Sequence, residues 1–292
     1  MRKITLVIPI HDRIKVTQKG INNVCSAITY YLKQTNEQRL QISVIVIDDG
    51  SIDGSSEWIK SNHENIIILK GDGNLWWSGS MNKGCLYALE NLKSEYIILW
   101  NDDTICENDY FINLESILKE YGKGILTSKI LWLNSNKLFN LGCKFNRITG
   151  KKTIIGLNQV DSAEFCTPIK VDWSGGMGTI IPSYIFNTIG LFDEVNFPQY
   201  HGDIDFYLRA QDKGFEIWAH PDLKVYSDPN TTGYKLGRGL KQLRTNLTSI
   251  KSNYCLKKDI IFYRKHIDSP LGYFALVRKY FVYLYQYTKA QF

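Results

Sequence analysis

Short apolar segments rich in β-branched residues recur through the first hundred residues of the chain. The apolar segments cover residues 4–10, 42–48, 66–69 and 96–100. Segments with helical spacing lie between them, over about 17–33 and 78–92. A nearly continuous apolar run of this length is typical of a strand buried on both faces of a parallel sheet. Because parallel strands need crossover connections, which are usually helices, the alternation predicts an α/β fold with a doubly wound, mostly parallel sheet.

The pattern changes after residue 121. Between residues 122 and 182 the apolar segments are shorter and are interrupted by single glycines, at Gly142, Gly150 and Gly156, which favours hairpins added to the sheet. The glycine-rich stretch 171–178 lacks the spacing of a phosphate loop, so we expect it to form a backbone wall beside a ligand. Helical spacing returns over 183–189, and a further helix begins with Asp203 and Asp205 in its first turn.

Polar side chains end three of the predicted strands. Arg13 follows the first strand, Asp48 and Asp49 end the second, and Asp102 and Asp103 end the fourth. In open α/β sheets, ligands bind in the crevice beyond the carboxyl ends of the strands. We therefore expect these side chains to share one crevice.

Asp102 and Asp103 are adjacent carboxylates at the mouth of a buried strand. Because like charges repel, such a pair persists where a positive group lies beside it. The simplest candidate is Mg²⁺ or Mn²⁺, since such an ion is commonly held by one or two protein carboxylates together with substrate phosphate oxygens. The alternative is that the pair makes a polar turn or caps the helix that begins near Asn108.

The composition is that of a soluble globular protein with one large domain or two modest ones. The chain has 292 residues, of which 44% are hydrophobic and 22% are charged. No run approaches about 18 consecutive apolar residues, and the N-terminus leads directly into a predicted strand, so we expect a cytoplasmic protein. The six cysteines are scattered, which argues against a structural zinc site and against a disulfide framework.

The net charge of +6 is distributed unevenly. Residues 234–292 contain twelve Lys or Arg and two Asp, for a net charge of +10, whereas residues 1–233 contain 23 basic and 27 acidic residues, for −4. We therefore divide the chain into a main domain over 1–233 and a helical, basic and aromatic extension over 234–292. The charge of the extension predicts an anionic partner surface.

Basic and aromatic residues are interleaved in the extension, from Lys257 to Tyr287. Such a mixture suits the headgroup level of an anionic bilayer, to which the protein would bind peripherally on the inner face of the cell membrane. The alternative is a pair of helices that packs on the main domain with an exposed charged face. We do not expect nucleic-acid binding, because the extension lacks a recognised module and the main domain is acidic.

Five short motifs follow one another along the main domain. They are Val7-Ile8-Pro9, Asp48-Asp49-Gly50-Ser51, Gly73-Asn74 with Asn82-Lys83-Gly84, Asn101-Asp102-Asp103, and Gly202-Asp203-Ile204-Asp205 with Arg209. In this order, over residues 4 to about 228, the chain resembles the inverting family-2 glycosyltransferases, which have the nucleotide-sugar-binding GT-A fold. The pair Trp76-Trp77 resembles the rhamnosyltransferase-like subgroup, in which an apolar wall would meet the methyl group of a 6-deoxysugar donor.

The resemblance implies a nucleotide-binding half over about 1–105. Asp49 or Asp48 would hydrogen-bond the pyrimidine base of a UDP- or dTDP-type sugar donor. Pro9 and Arg13 would contact the nucleotide or its phosphates. Asp103 would bind the Mg²⁺ or Mn²⁺ that bridges the diphosphate, with Asp102 supporting the ribose or the metal shell.

The resemblance also implies an acceptor-binding half over about 106–233. Asp203 would be the general base, because a sugar hydroxyl is a very weak acid and must lose its proton as it attacks C1 of the donor. The acceptor would be a glycan or a lipid-linked saccharide in cell-surface polysaccharide synthesis. The residues expected near the donor or acceptor sugar are Trp76, Trp77, Asn82, Gly175, Gly176, Asp205 and Arg209.

The sequence departs from the family pattern at two positions. The Glu that usually precedes the base is Gly202, and the metal-binding His that usually follows the acceptor helix is Ser227. Asp228 could replace that His, or the metal could rely on Asp103, phosphates and water. The alternative functions are a non-catalytic scaffold of a membrane glycan-assembly complex and a sugar-nucleotide pyrophosphorylase. The second requires a glycine-rich loop that the segment from His11 to Arg13 does not provide.

Overall fold

All four strands predicted in the first hundred residues occur in the computed structural model, which describes residues 1–34, 39–229 and 238–290. The strands of the described residues are β1 (Arg2–Ile10), β2 (Leu40–Asp48), β3 (Ile67–Lys70), β4 (Tyr96–Leu99), β5 (Ile105–Cys106), β6 (Ile125–Trp132), β7 (Leu138–Asn140), β8 (Cys143–Phe145), β9 (Lys152–Ile154), β10 (Ile169–Lys170), β11 (Thr179–Pro182) and β12 (Ile217–Ser227). The α-helices are α1 (Ile14–Gln34), α2 (Ser55–Asn62), α3 (Trp76–Glu90), α4 (Tyr110–Tyr121), α5 (Ser183–Ile189), α6 (Gly202–Asp212), α7 (Gly239–Thr248), α8 (Leu256–His266) and α9 (Gly272–Lys289).

The first four strands form a parallel half of one large sheet, in the order β3-β2-β1-β4. Next to β4, β11 runs antiparallel and joins this half to β6, which pairs in parallel with β12. The short strand β10 lies at the outer edge, on β12. The predicted α/β class is therefore confirmed, with parallel pairing in the first four strands and between β6 and β12, and antiparallel pairing where β11 joins them.

The region between residues 122 and 182 contains the predicted hairpins and also contributes to the central sheet. β7 pairs antiparallel with β6, and β8 pairs antiparallel with β9 in a separate two-stranded sheet. β6 and β11 are central strands, because each is buried along its length. β11 pairs with β4 of the parallel half, and β6 pairs with β11. The loose apolar pattern of this region thus reflects short strands inserted into and beside one sheet.

Helices cover both faces of the sheet. Leu6, Ile8 and Val46 face one side and pack against the buried faces of α1 and α4. The alternate residues of the same strands face the other side, where Val7 meets α3. Contact there is so close that a Cβ at Gly84 would lie 2.4 Å from Val7 Cγ1. This alternation explains why the strands read as continuous apolar runs.

The extension packs on the main domain through α8. Phe262 of α8 is fully buried and packs in one cluster with Phe197 and with the buried face of α6. Leu276 of α9 belongs to the same cluster. The described part of the extension forms three helices, one more than the predicted pair. The predicted boundary between residues 233 and 234 lies outside the described residues. Within the described residues, no helix is long and apolar enough to cross a membrane.

Candidate active site

A cavity of about 500 Å³ opens at the carboxyl ends of β1, β2 and β4. Seven residues predicted from the sequence line it: Pro9, Arg13, Asp49, Trp76, Trp77, Asp102 and Asp103. They come together because the parallel strands that precede them end at the same edge of the sheet.

Asp49 is held by the backbone that leads into α3. Its carboxylate accepts hydrogen bonds from the N–H of Gly73, at 2.8 Å, and from the N–H of Trp76, at 3.0 Å. Trp76 has a φ of 56°, a left-handed conformation that is costly for a bulky residue and is found mostly at functional sites. The two bonds to Asp49 hold this turn and direct the indole of Trp76 into the cavity wall.

Arg13 lies between the two adjacent carboxylates. Its guanidinium pairs with Asp102 and lies 3.6 Å from Asp103 Oδ2. Asp102 also accepts a hydrogen bond from Thr17 Oγ1 at 3.1 Å. Burial raises the pKa of Asp102, and the charge of Arg13 opposes that rise. A Cβ at Gly20 of α1 would lie 2.0 Å from the carbonyl oxygen of Asp102, so only glycine permits this approach.

Trp77 forms another part of the cavity wall. Its indole N–H donates to Asn101 Oδ1 at 3.2 Å, and its ring packs edge-on against Phe192 at 5.4 Å. A Cβ at Gly176 would lie 2.4 Å from Trp77 Cζ2. The glycine-rich stretch therefore supports the cavity from behind, by leaving room for the indole.

Asp48 and Asn82 lie outside the cavity lining. Asp48 is fully buried, and its Oδ2 lies 2.6 Å from Nζ of Lys70. Asn82 Nδ2 donates to the carbonyl of Phe192 at 2.9 Å and to Glu194 at 2.7 Å. Both side chains hold neighbouring segments together behind the site.

Asp205 and Arg209 also lie outside the cavity lining, on the buried side of α6. Arg209 Nε donates to Asp205 at 2.9 Å, and its other nitrogens donate to the carbonyls of Ile189 and Leu191. Asp205 also accepts from Lys265 at 2.6 Å and from His266 at 2.8 Å, both on α8. These residues tie the extension to α6.

Asp203 lies two residues before Asp205 on α6 and is half-buried, beside the β8–β9 hairpin and outside the cavity lining. One carboxylate oxygen accepts the N–H of Ile204 at 2.8 Å. Burial raises the pKa of Asp203, against the positive charge of Lys152. Burial, together with the charge of Lys279, also lowers the pKa of Lys152 to about 8. A carboxylate with a raised pKa is a better proton acceptor than an exposed one.

A second buried network lies behind Asp203, between the start of α6 and the extension. His201 Nε2 lies 2.8 Å from Asp259 of α8, which also accepts from Lys279 and from Tyr280 of α9. Burial lowers the pKa of His201 to about 4, so its neutral ring donates to Asp259. This network and the partners of Asp205 on α8 anchor the N-terminal end of α6 to the extension.

Residues 5–162 match the sequence profile of the family described as glycosyl transferase family 2. The match covers more than half of the chain. The chain belongs to glycosyltransferase family 2. It is also 24% identical over 213 residues to the low-salt glycan biosynthesis hexosyltransferase Agl10 of Haloferax volcanii, covering 70% of this chain and 66% of the relative.

Solved structures show that this family-2 chain has the GT-A fold. It is similar to S. aureus TarS in complex with UDP (TM-score 0.53, 13% identity, 77% of this chain and 60% of that one). It is similar to the mannosyltransferase PcManGT of Pyrobaculum calidifontis in complex with GDP-Man and Mn²⁺ (TM-score 0.53, 12% identity, 80% and 59%). A third similar structure is GalNAc-T7 with UDP, GalNAc and Mn²⁺ (TM-score 0.58, 11% identity, 87% and 49%). The chain thus spans less than two thirds of the length of each of these proteins.

Asp102 and Asp103 are the carboxylates of the cavity that could hold a divalent metal in this family-2 chain. No group of three or more His, Cys, Asp or Glu side chains in the described parts of the chain is placed to hold a metal. Asp102 and Asp103 already bind a cationic group, the guanidinium of Arg13. Asp103 also faces a smaller cavity of about 130 Å³, which Asp228 lines too. One or two carboxylates suit Mg²⁺ or Mn²⁺, which keep water and phosphate ligands.

Gly202 has a packing reason in this fold. A Cβ at this position would lie 2.3 Å from Ser78 Oγ and 3.2 Å from the carbonyl oxygen of Phe197. The helices α3 and α6 therefore approach too closely for the Glu that the family pattern has at this position. Glycine at position 202 therefore allows the close packing of these two helices.

Several residues of the cavity wall were assigned no role at the site by the sequence analysis, although Gly73 and Asn101 belong to its motifs. The residues that line the cavity in this way are Ile10, His11, Gly73, Ser80, Asn101, Gln199, Tyr200 and Lys251. Gln199 and Tyr200 lie just before α6, close to a motif, and could have been found from it. Ser80 lies one turn into α3, and its Oγ is buried without a hydrogen-bond partner among the described residues. Lys251 lies far along the sequence, in the extension, where no motif indicated it.

Proposed function

We propose that this chain is an inverting glycosyltransferase that moves a sugar from a nucleoside-diphosphate donor to a glycan or lipid-linked saccharide. One observation carries the proposal: the cavity joins Asp49, the Arg13–Asp102–Asp103 cluster and two indoles at the carboxyl ends of the strands. An acceptor for base N–H groups, a cation site for phosphates and apolar walls for a sugar are the parts that such a donor needs.

Asp49 is the residue proposed to receive the base, and Arg13 the one proposed to receive phosphate oxygens. Asp103, with Asp102, would hold Mg²⁺ or Mn²⁺, which when bound stabilises the negative charge on the leaving diphosphate. For Arg13 to bind phosphate, its guanidinium must turn away from Asp103, from which it is 3.6 Å distant. That turn would free Asp103 as the donor enters.

Asp203 is proposed to remove the proton of the acceptor hydroxyl. The acceptor oxygen attacks C1 of the donor from the side opposite the diphosphate, so the bond to the phosphate oxygen breaks with its electron pair and the anomeric centre inverts. The raised pKa of Asp203 supports this role, since burial is what makes the carboxylate a stronger base. The fixed position of α6 would hold the base in line with C1.

The donor sugar is proposed to be a hexose, with a 6-deoxyhexose such as rhamnose as the specific candidate. The support for a deoxysugar is the apolar wall formed by Trp77, which packs on Phe192. A methyl group in place of a hydroxymethyl group leaves no hydroxyl to be desolvated against that wall.

The proposed activity can be tested in two steps. Thermal denaturation is first measured with UDP, dTDP and GDP sugars, including dTDP-rhamnose, with and without Mn²⁺. The donor that binds should raise the melting temperature by mass action. Transfer is then measured for the wild type and for Asp203→Asn, which should bind the same nucleotide and lose transfer by at least about 100-fold. Full turnover by Asp203→Asn would refute the role of the base, and nucleotide binding without transfer by the wild type would favour a scaffold.

The extension is proposed to bring the enzyme to an anionic membrane surface. Phe274, Val277, Phe281 and Tyr285 form one stripe along α9 and are 70%, 57%, 74% and 67% exposed. Arg278 lies within this stripe, and the extension carries the excess positive charge of the chain. Aromatic side chains with interspersed Lys and Arg match the headgroup region of a bilayer that contains anionic lipids.

Vesicle sedimentation tests the membrane proposal. The wild type should sediment with vesicles of phosphatidylcholine and phosphatidylglycerol and much less with phosphatidylcholine alone. The double variant Phe274→Ser/Phe281→Ser should lose sedimentation and keep nucleotide binding. Equal sedimentation of the variant and the wild type would contradict the assignment of this face.

A further inference from the structure

Lys251 brings a positive charge from the extension into the wall of the donor cavity. It lies in the turn over 249–255 that joins α7 to α8, and its Nζ is 5.1 Å from the centroid of the Trp76 ring. The same cavity is lined by Arg13, Asp49 and Ser80. A residue at the far end of the chain thus shares one space with the residues proposed to bind the nucleotide.

The other charged groups of the cavity centre already have partners. Both oxygens of Asp49 accept backbone N–H groups. Asp102 and Asp103 share the guanidinium of Arg13. Within the described residues, the ammonium of Lys251 has no carboxylate partner and contacts only the indole face of Trp76 through a cation–π interaction. Lys251 is therefore a cation of the cavity wall that can meet an anionic ligand without first leaving a carboxylate of the described residues.

Ser80 gives independent support for a polar ligand in this space. Its side chain is 1% exposed, it lines the cavity, and its Oγ has no hydrogen-bond partner among the described residues. A buried hydroxyl without a partner is costly. An anionic oxygen in the cavity would accept its hydrogen bond.

The position of Lys251 is set by packing, since the turn that carries it is fixed by α9. Lys279 Nζ donates to the carbonyl of Asn253 at 2.7 Å, and Tyr280 Oη donates to the carbonyl of Tyr254 at 3.0 Å. The ring of Tyr254 stacks on Tyr283 at 4.2 Å. On the opposite side, the constrained turn of Trp76 presents its ring to the ammonium. Both partners of the cation–π contact are therefore held in place.

We propose that Lys251 binds the diphosphate of the sugar donor, so that the C-terminal extension completes the donor site. The proposal rests on the proposed function. When the bond between C1 and the phosphate oxygen breaks, the electron pair stays on that oxygen and the diphosphate gains negative charge. A nearby ammonium strengthens its interaction as this charge develops, which lowers the barrier as well as the dissociation constant of the donor.

Three variants test this role. Lys251→Met keeps the aliphatic stem over Trp76 and removes the charge, whereas Lys251→Arg keeps a positive charge. Lys257→Met is the matched control, because Lys257 is an exposed lysine of the extension outside the cavity lining. Binding is measured by calorimetry with Mn²⁺ for UDP, dTDP and GDP, and then for the monophosphate and the nucleoside of the base that the wild type prefers.

We expect Lys251→Met to weaken diphosphate binding by about tenfold, the effect of one charge-assisted hydrogen bond at a partly exposed site. The loss should be smaller for the monophosphate and absent for the nucleoside, and Lys251→Arg should restore most of the affinity. Wild-type affinity in Lys251→Met, or an equal loss for diphosphate and nucleoside, would overturn the inference while leaving the proposed function intact. Absence of binding by the wild type to all three diphosphates would overturn both.

Discussion

Replacing Asp205 by Asn should destabilise the protein strongly and leave the donor site intact. Asp205 is fully buried and accepts hydrogen bonds from three side chains, the cationic Arg209 at 2.9 Å and Lys265 at 2.6 Å, and His266 at 2.8 Å. Asn preserves the shape of the residue and removes the charge that these three groups share. Breaking a buried ion pair by removing one partner costs about 3–5 kcal/mol, because the remaining charge is left uncompensated.

The pKa of Asp205 gives a second measure of this contribution. Burial alone would raise the pKa, but hydrogen bonds from His266 and Lys265 and the charge of Arg209 lower it to about 2, from an ordinary 3.8. A depression of this size contributes about 2 kcal/mol to stability at neutral pH. Because the folded-state pKa is the lower one, this stability is present above about pH 4 and is lost as the pH falls toward 2.

Thermal denaturation followed by circular dichroism tests the argument. A chain of this length has an unfolding entropy of about 0.6 kcal/mol/K, so Asp205→Asn should lower the melting temperature at pH 7 by about 5–8 °C. The matched control is Asp212→Asn on the same helix, since Asp212 makes an exposed ion pair with Arg147 and should cost less than about 1 kcal/mol. If Asp205→Asn melted like the wild type and lost sugar transfer selectively, the structural role would be wrong and a sugar contact would be favoured.

Two further predictions concern the cavity wall and the base. Gly176→Ala should raise the KM for the donor several-fold, because the added Cβ must displace the indole of Trp77, whereas Gly175→Ala meets nothing within 4 Å; equal kinetics of the two variants would contradict this. Transfer should fall on the acid side with an apparent pKa above 3.8, because burial raises the pKa of Asp203 and a base acts only when deprotonated. A pH profile of kcat/KM that is flat to pH 4 would contradict the second prediction.

The convergence of the strand-end residues on one cavity could be predicted from the sequence, because their placement follows from local pattern. Apolar strands with polar ends specify where Arg13, Asp49 and Asp103 lie, since parallel strands end at one edge. The same rule was wrong for the side chain of Asp48. Asp48 is the last residue of β2, and its side chain pairs with Lys70 outside the cavity lining. Alternation along a strand places neighbouring side chains on opposite faces, and the sequence could not say which of the two carboxylates faced the ligand.

The contribution of the extension could not be predicted from local pattern. Lys251 reaches the cavity only because α8 docks on α6 and α9 fixes the turn that carries it. Those contacts join residues that are far apart in sequence. Acidic residues at the start of a helix are ordinary dipole complements, so the partners of Asp205 on α8 were not visible either. Tertiary packing of this kind leaves no periodic signal in the chain.

The dependence of α6 on α8 also sets an order in time during synthesis. His266 follows Asp205 by 61 residues, and chains generally fold from the N-terminus as they are made. The strands β1 to β4 are therefore made early, but Asp205 lacks two of its three side-chain partners, Lys265 and His266, until α8 has been made. The helix α6 reaches its final packing only after α8 has been made, so a ribosome-bound fragment that ends before α8 would carry α6 without its ion-pair and hydrogen-bond partners on α8.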